Sequence, residues 1–116
     1  MKLAVVGSRK FSNLEMVVAL LETLHKSVAD LEIVSGGAEG VDTEAFRWAN
    51  THGVPTTVFP ADWEQFGNAA GPKRNADIVK ASDCGMVFWD GVSPGSLDFL
   101  VRAKKMKGYK VVVYLS

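Results

Sequence analysis

Two hydrophobic periods alternate along this chain, and no other feature narrows its fold as much. Five short apolar runs, Leu3 to Val6, Leu31 to Val34, Val54 to Phe59, Met86 to Trp89 and Val111 to Leu115, are rich in β-branched or aromatic residues. Three of them are nearly continuous, which is the pattern of a strand covered on both faces. Between the runs, apolar residues recur at helical spacing, so the chain reads βαβαβαβαβ. Right-handed crossovers then require a parallel sheet with helices on both sides. At 116 residues the expectation is one domain, 1–116, that buries about 65% of its unfolded surface and needs no metal or disulfide.

The helix boundaries carry their own signals. Leu14, Val17, Val18, Leu21, Leu24 and Val28 form one stripe, with Ser12 and Glu15 at capping-box spacing and Phe11 and Met16 at staple positions. A second helix runs from Val41 to His52 and stops at Gly53, where a left-handed cap belongs. Pro72 suits the first position of a third helix reaching about Ser82, and a fourth starts near Pro94 or Ser96 and ends before Gly108. Pro60 to Gly71 is expected to be a long irregular loop of the functional or mobile kind.

Charge and cysteine content remove several classes of function. Thirteen basic and thirteen acidic residues balance, which argues against a nucleic-acid coat protein or a polybasic membrane binder. There is no basic-then-apolar leader at Met1, no apolar run of the ~20 residues that a membrane span needs, and one cysteine. A soluble, cytoplasmic chain without a membrane role is expected. His25 and His52 lack metal-ligand spacing, so no metal or cofactor is expected. Cys84 reads as an inert core thiol, and Lys104, Lys105, Lys107 and Lys110 as a solvated helix end.

In open parallel sheets, ligands bind beyond the carboxyl ends of the strands, where the strand order reverses. That rule selects Gly7-Ser8-Arg9, Ser35-Gly36-Gly37-Ala38-Glu39-Gly40-Val41-Asp42, Pro60-Ala61-Asp62-Trp63 and Asp90 to Ser96. Eight of the eleven glycines fall in these loops or in Gly67 to Gly71, which marks one end of the sheet as the binding face. Gly36 to Gly40 enters a helix and could hold a phosphate on its amides, or be no more than a tight turn. A second glycine turn, with Gly95 and Ser96, enters another helix and could face the same ligand. Arg9 and Arg74 are candidate phosphate clamps, Arg74 because a cation in a first helical turn opposes the dipole; a local ion pair or plain solvation are the alternatives. Asp42 either meets a ribose hydroxyl or is an ordinary first-turn carboxylate. Trp63, with Asp62 beside it, either stacks on a base or packs the loop down.

Taken together and in order, Gly7-Ser8-Arg9, the Ser35 to Asp42 loop, Phe59 to Trp63, Ala70-Gly71-Pro72-Lys73-Arg74-Asn75 and Gly95-Ser96 resemble the small SLOG-type Rossmann family, related to the YspA and YpsA proteins. The resemblance covers nearly the whole chain. It implies a Rossmann-like three-layer sandwich with strand order 3-2-1-4-5. It also implies a pocket for a nucleotide or nucleotide-derived small molecule, which Asn75 and Asp90 would help to line, and leaves room for a homodimer. Relatives include nucleotide sensors, DNA-binding DprA proteins and the Lonely Guy phosphoribohydrolases. The hydrolases carry PGGxGTxxE, whose Glu acts with an Arg. Aligning Gly95-Ser96 with the Gly-Thr pair puts Phe99 at the Glu position and Asp98 one residue early. One residue is about 100° of helix, so Asp98 is expected to point elsewhere. Binding is therefore the leading reading, hydrolysis with Arg74 and Asp98 as catalytic candidates the second, and single-strand binding a third that the neutral charge disfavours.

Overall fold

The computed structural model describes residues 1–115. Its centre is a five-stranded all-parallel sheet in the order β3-β2-β1-β4-β5, formed by β1 (Lys2–Gly7), β2 (Glu32–Ser35), β3 (Thr56–Val58), β4 (Cys84–Trp89) and β5 (Lys110–Leu115). The expected order is the observed one. Strand periodicity splits the core between two faces: Leu3 and Val5 of β1 join one apolar cluster, and Ala4 and Val6 join the other. The first cluster is closed by α1 (Leu14–Ser27) and α2 (Val41–Thr51) through Val17, Leu21, Val41, Ala45 and Trp48. The second is closed by α4 (Ala70–Ala81) and α5 (Pro94–Lys105) through Ile78, Val79, Phe99 and Ala103.

Several boundaries differ from expectation, each for a local reason. The cap of α1 is Asn13 rather than Ser12: Asn13 Oδ1 accepts the Met16 N–H at 3.1 Å, as a strong N-capping residue does at this position. Phe11 is thereby freed from a staple and sinks into the core, edge-on to Phe88 at 5.4 Å between ring centroids. Pro72 does not open its helix, which begins at Ala70; a proline in the first turn has no intrahelical N–H bond to lose. That shift moves Arg74 out of the first turn. The stretch 60–71 is not irregular: Asp62 Oδ1 takes the Gln65 N–H at 3.1 Å and caps a single turn, α3 (Trp63–Phe66), followed by a 3₁₀ turn, Gly67–Ala69. Strand β3 keeps three residues of the expected six because Pro55 and Pro60 flank it and offer no N–H. Strand β4 starts early, at Cys84, which pairs with Leu3 on one side and Lys110 on the other.

His25 and His52, on different helices, converge on Trp48: His52 stacks on the indole at 4.6 Å and His25 meets it edge-on at 5.6 Å. Among the described residues no His, Cys, Asp and Glu cluster could hold a metal. No helix there is long and apolar enough to cross a membrane.

Candidate functional site

The strand order reverses between β1 and β4, and a cavity of about 450 Å³ opens beyond their carboxyl ends. Asp42 forms part of its floor. From the first turn of α2 its side chain turns back onto the preceding loop, where Oδ2 accepts the Gly36 N–H at 3.0 Å and the Ala38 N–H at 3.4 Å. The residue is 3% exposed, and its other oxygen, Oδ1, is buried with no hydrogen-bond partner. Burial pushes this carboxyl up to about 6, against the pull of the Gly36 and Ala38 amides, of the nearby Arg74 guanidinium and of the Gly7 amide. The loop amides that the sequence assigns to a phosphate are thus partly spent on a carboxylate. Gly36 and Gly7 also have packing reasons. A side chain on Gly36 would overlap the Arg74 guanidinium, whose Nη1 donates to the Gly36 carbonyl at 2.8 Å. A Cβ on Gly7 would lie 2.5 Å from Val41 Cβ.

The opposite wall is the start of α5. Ser93 occupies the cap position but no side chain caps the helix, and Pro94 follows at the first position. The amides of the first turn are left to the cavity. Ser96 and Ser8 are both buried, their hydroxyls 3.2 Å apart, and Ser8 Oγ also accepts the Asp90 N–H at 3.1 Å. Asp90 itself is not aimed at a ligand. It accepts the Val92 and Ser93 amides and the Ser93 hydroxyl, which hold its carboxyl down at about 2. Asn75, 3% exposed, donates to the Gly95 carbonyl at 3.1 Å and to Asp98 Oδ2 at 3.0 Å, while Arg102 Nε donates to the same oxygen at 2.9 Å.

Residues 1–66 match the family described as the YspA, cpYpsA-related SLOG family. The gene 61 protein of Mycobacterium phage D29 is 35% identical over 111 residues, covering 90% of this chain and 89% of that protein. This chain belongs to the SLOG family. Among solved structures, DNA processing protein A (DprA) from Streptococcus pneumoniae superposes on 97% of the chain with a TM-score of 0.72 and 26% identity. The SLOG chain spans about half of that structure, 49%.

Within this SLOG domain the cavity gathers Gly7, Ser8, Arg9, Ala38, Asp42, Trp63, Arg74, Asn75, Gly95 and Ser96. Gly36, Gly37 and Glu39 line an adjoining hollow instead. Ser35, Gly40, Asp62 and Asp90 line neither. Ser35 ends β2 and its carbonyl accepts the Phe59 N–H; Gly40, at φ +84°, precedes α2; Asp62 and Asp90 cap turns. Asp98 and Phe99 point in different directions, as one residue of helix requires: Asp98 lines the cavity, and Phe99 points into the core with no exposure. An apolar ring at that position belongs under the helix, and the residue before it is turned outward. Asn68 and Ile78 also line the cavity without having been named as site residues, as does Ser93 within the selected Asp90 to Ser96 loop. Gly67 beside Asn68 and the i, i+4 spacing of Ile78 from Arg74 were the signals that could have found them.

Proposed function

We propose that this domain binds a nucleotide or nucleotide-derived ligand, such as an ADP-ribose derivative, through its phosphate and ribose. One observation carries the reading: a single cavity is lined both by Asp42, whose carboxylate keeps one oxygen without a partner, and by the start of α5, which no side chain caps. A buried carboxylate oxygen calls for a donor, which a ribose hydroxyl supplies. A helix start with free amides calls for an anion, which a phosphate supplies. On this reading the phosphate sits on the Gly95 and Ser96 amides and the Ser96 hydroxyl, with Arg9 and Arg74 as further cations. The half-exposed Trp63 indole, at the mouth, stacks on the base. Family membership agrees with the reading, since nucleotide-derived ligands are what the SLOG resemblance implies.

The test is thermal unfolding against a nucleotide panel. A ligand at 100 times its dissociation constant adds about 2.7 kcal/mol, which raises Tm by several degrees. A flat panel at millimolar concentration removes the reading. Arg9→Ala is expected to weaken binding by about 1.5–3 kcal/mol with the fold intact, measured by calorimetric titration.

A second reading, phosphoribohydrolysis, is favoured by the position of Asp98, which faces the cavity that Arg74 lines and is oriented by Asn75 and Arg102. Binding without turnover is expected. Chromatographic release of free base from AMP, lost in Asp98→Asn, would establish the hydrolase in its place.

A further inference from the structure

The zero net charge of this chain hides a separation. From Leu14 to Glu44 there are seven acidic side chains and one basic one, Lys26; after Asp98 there are five basic side chains and no acidic one. The fold carries these stretches apart, because α1 and α2 cover one side of the sheet while α5 covers the other and leads into the edge strand β5. On the outer surface of α5, Leu97, Val101, Lys104 and Lys105 form one stripe at helical spacing. Leu97 and Val101 are each 44% exposed, and neither lines the ligand cavity or the adjoining hollow. Among the described residues, Lys104, Lys105, Lys107 and Lys110 have no carboxylate within salt-bridge distance. The helix dipole accounts for lysines in a last turn, but not for two large apolar side chains left in water ahead of them.

The matching surface is on the opposite side of the same molecule. A groove of about 310 Å³ lies between α1 and α2, lined by the apolar Leu14, Val18 and Ala19 and by the carboxylates of Glu15, Glu22 and Glu44. Leu14 and Val18 stand about one helical turn apart, as Leu97 and Val101 do. An apolar pair with a cationic end thus has its complement in an apolar pair with a carboxylate rim. Two α5 stripes set against each other would bring lysines onto lysines, so charge favours α5 against the groove. A phosphate backbone would use the lysines and leave Leu97 and Val101 in water. Since the two surfaces lie on opposite sides of one sheet, a molecule cannot satisfy itself, and a contact between copies is heterologous.

We infer that this chain associates head to tail with further copies of itself, the α5 stripe of one copy seated in the groove between α1 and α2 of the next. The inference does not depend on the nucleotide reading, because neither surface belongs to the ligand cavity.

Sedimentation velocity over a concentration series tests it. Average mass is expected to rise with concentration at low salt, and the dissociation constant to weaken at least about tenfold in about 1 M salt, where the screening length falls to about 3 Å. A chain that stays monomeric at low salt up to about 1 mM overturns the inference, as does association that salt leaves unchanged. Two doubly charge-reversed variants at exposed positions, Lys104→Glu with Lys105→Glu and Glu15→Lys with Glu22→Lys, are each expected to be monomeric alone, with the circular dichroism of wild type. Their equimolar mixture is expected to regain association, because an acidic α5 then meets a basic groove and a basic α5 an acidic one. A variant that associates as wild type does, or a mixture that stays monomeric, overturns the pairing of these two surfaces. Leu97→Ser with Val101→Ser is expected to weaken association at least about tenfold without touching a charge, and an unchanged constant overturns the seating of the stripe in the groove.

Discussion

The buried Asp42 carboxylate, which holds the Gly36 and Ala38 amides on one oxygen, makes the stability of this fold depend on pH. The Asp42 carboxyl titrates at about 6 in the fold because burial disfavours its charge, against about 3.9 in an unfolded chain. The folded state therefore holds this proton more tightly. Its stabilisation is complete below about pH 4 and is lost as pH rises through 6, an effect of about 2–3 kcal/mol. Urea unfolding on either side of that window is expected to show wild type losing this amount relative to Asp42→Asn, and parallel profiles would contradict it. A ligand donor on Oδ1 favours the ionised form, so binding is expected to tighten over the same range. Gly36 gives a second residue-scale outcome. Added Cβ would push away only the far end of Arg74, so Gly36→Ala is expected to cost about 1 kcal/mol of stability, the worth of one hydrogen bond. Its loss of ligand affinity should match that of Arg74→Ala.

At the scale of elements, local chemistry and tertiary packing divide the control. Helix α1 is set locally: Asn13→Ala is expected to cost about 1 kcal/mol in unfolding free energy, because its side chain satisfies the Met16 amide. Helix α5 is set by what it covers. Phe99 is fully buried among Ala4, Val87 and Ala103, so Phe99→Ala is expected to cost about 3–5 kcal/mol. Phe99→Glu places an unpaired carboxylate in that core, and circular dichroism is expected to report loss of the fold rather than a gain of hydrolysis. The glycine-rich loops were legible as the end of the sheet where a cavity would open, yet the reasons for individual glycines were not. Gly36 answers to Arg74, 38 residues away, and no local pattern records such a contact. The helix at 63–66 stayed hidden because one turn is too short to show a period.

For the whole molecule, equal numbers of acidic and basic residues predict weak attraction to long polyanions. Single-stranded DNA is expected to bind only at low salt; fluorescence anisotropy that shows tight binding at about 0.15 M salt would contradict this. The sequence by itself determined the class of fold, the strand order through its family resemblance, and the face on which a ligand could sit. Alternation of strand and helix periods leaves few right-handed parallel solutions, and glycines collect where backbones crowd. Only the tertiary structure decided which groups remain available there. It turned Asp42 onto the loop amides, sank Phe99, turned Asp98 outward and set Arg9 and Arg74 on the cavity wall. Side-chain direction and pairing depend on neighbours supplied by distant strands, and a linear chain does not specify those contacts until the sheet has brought them together.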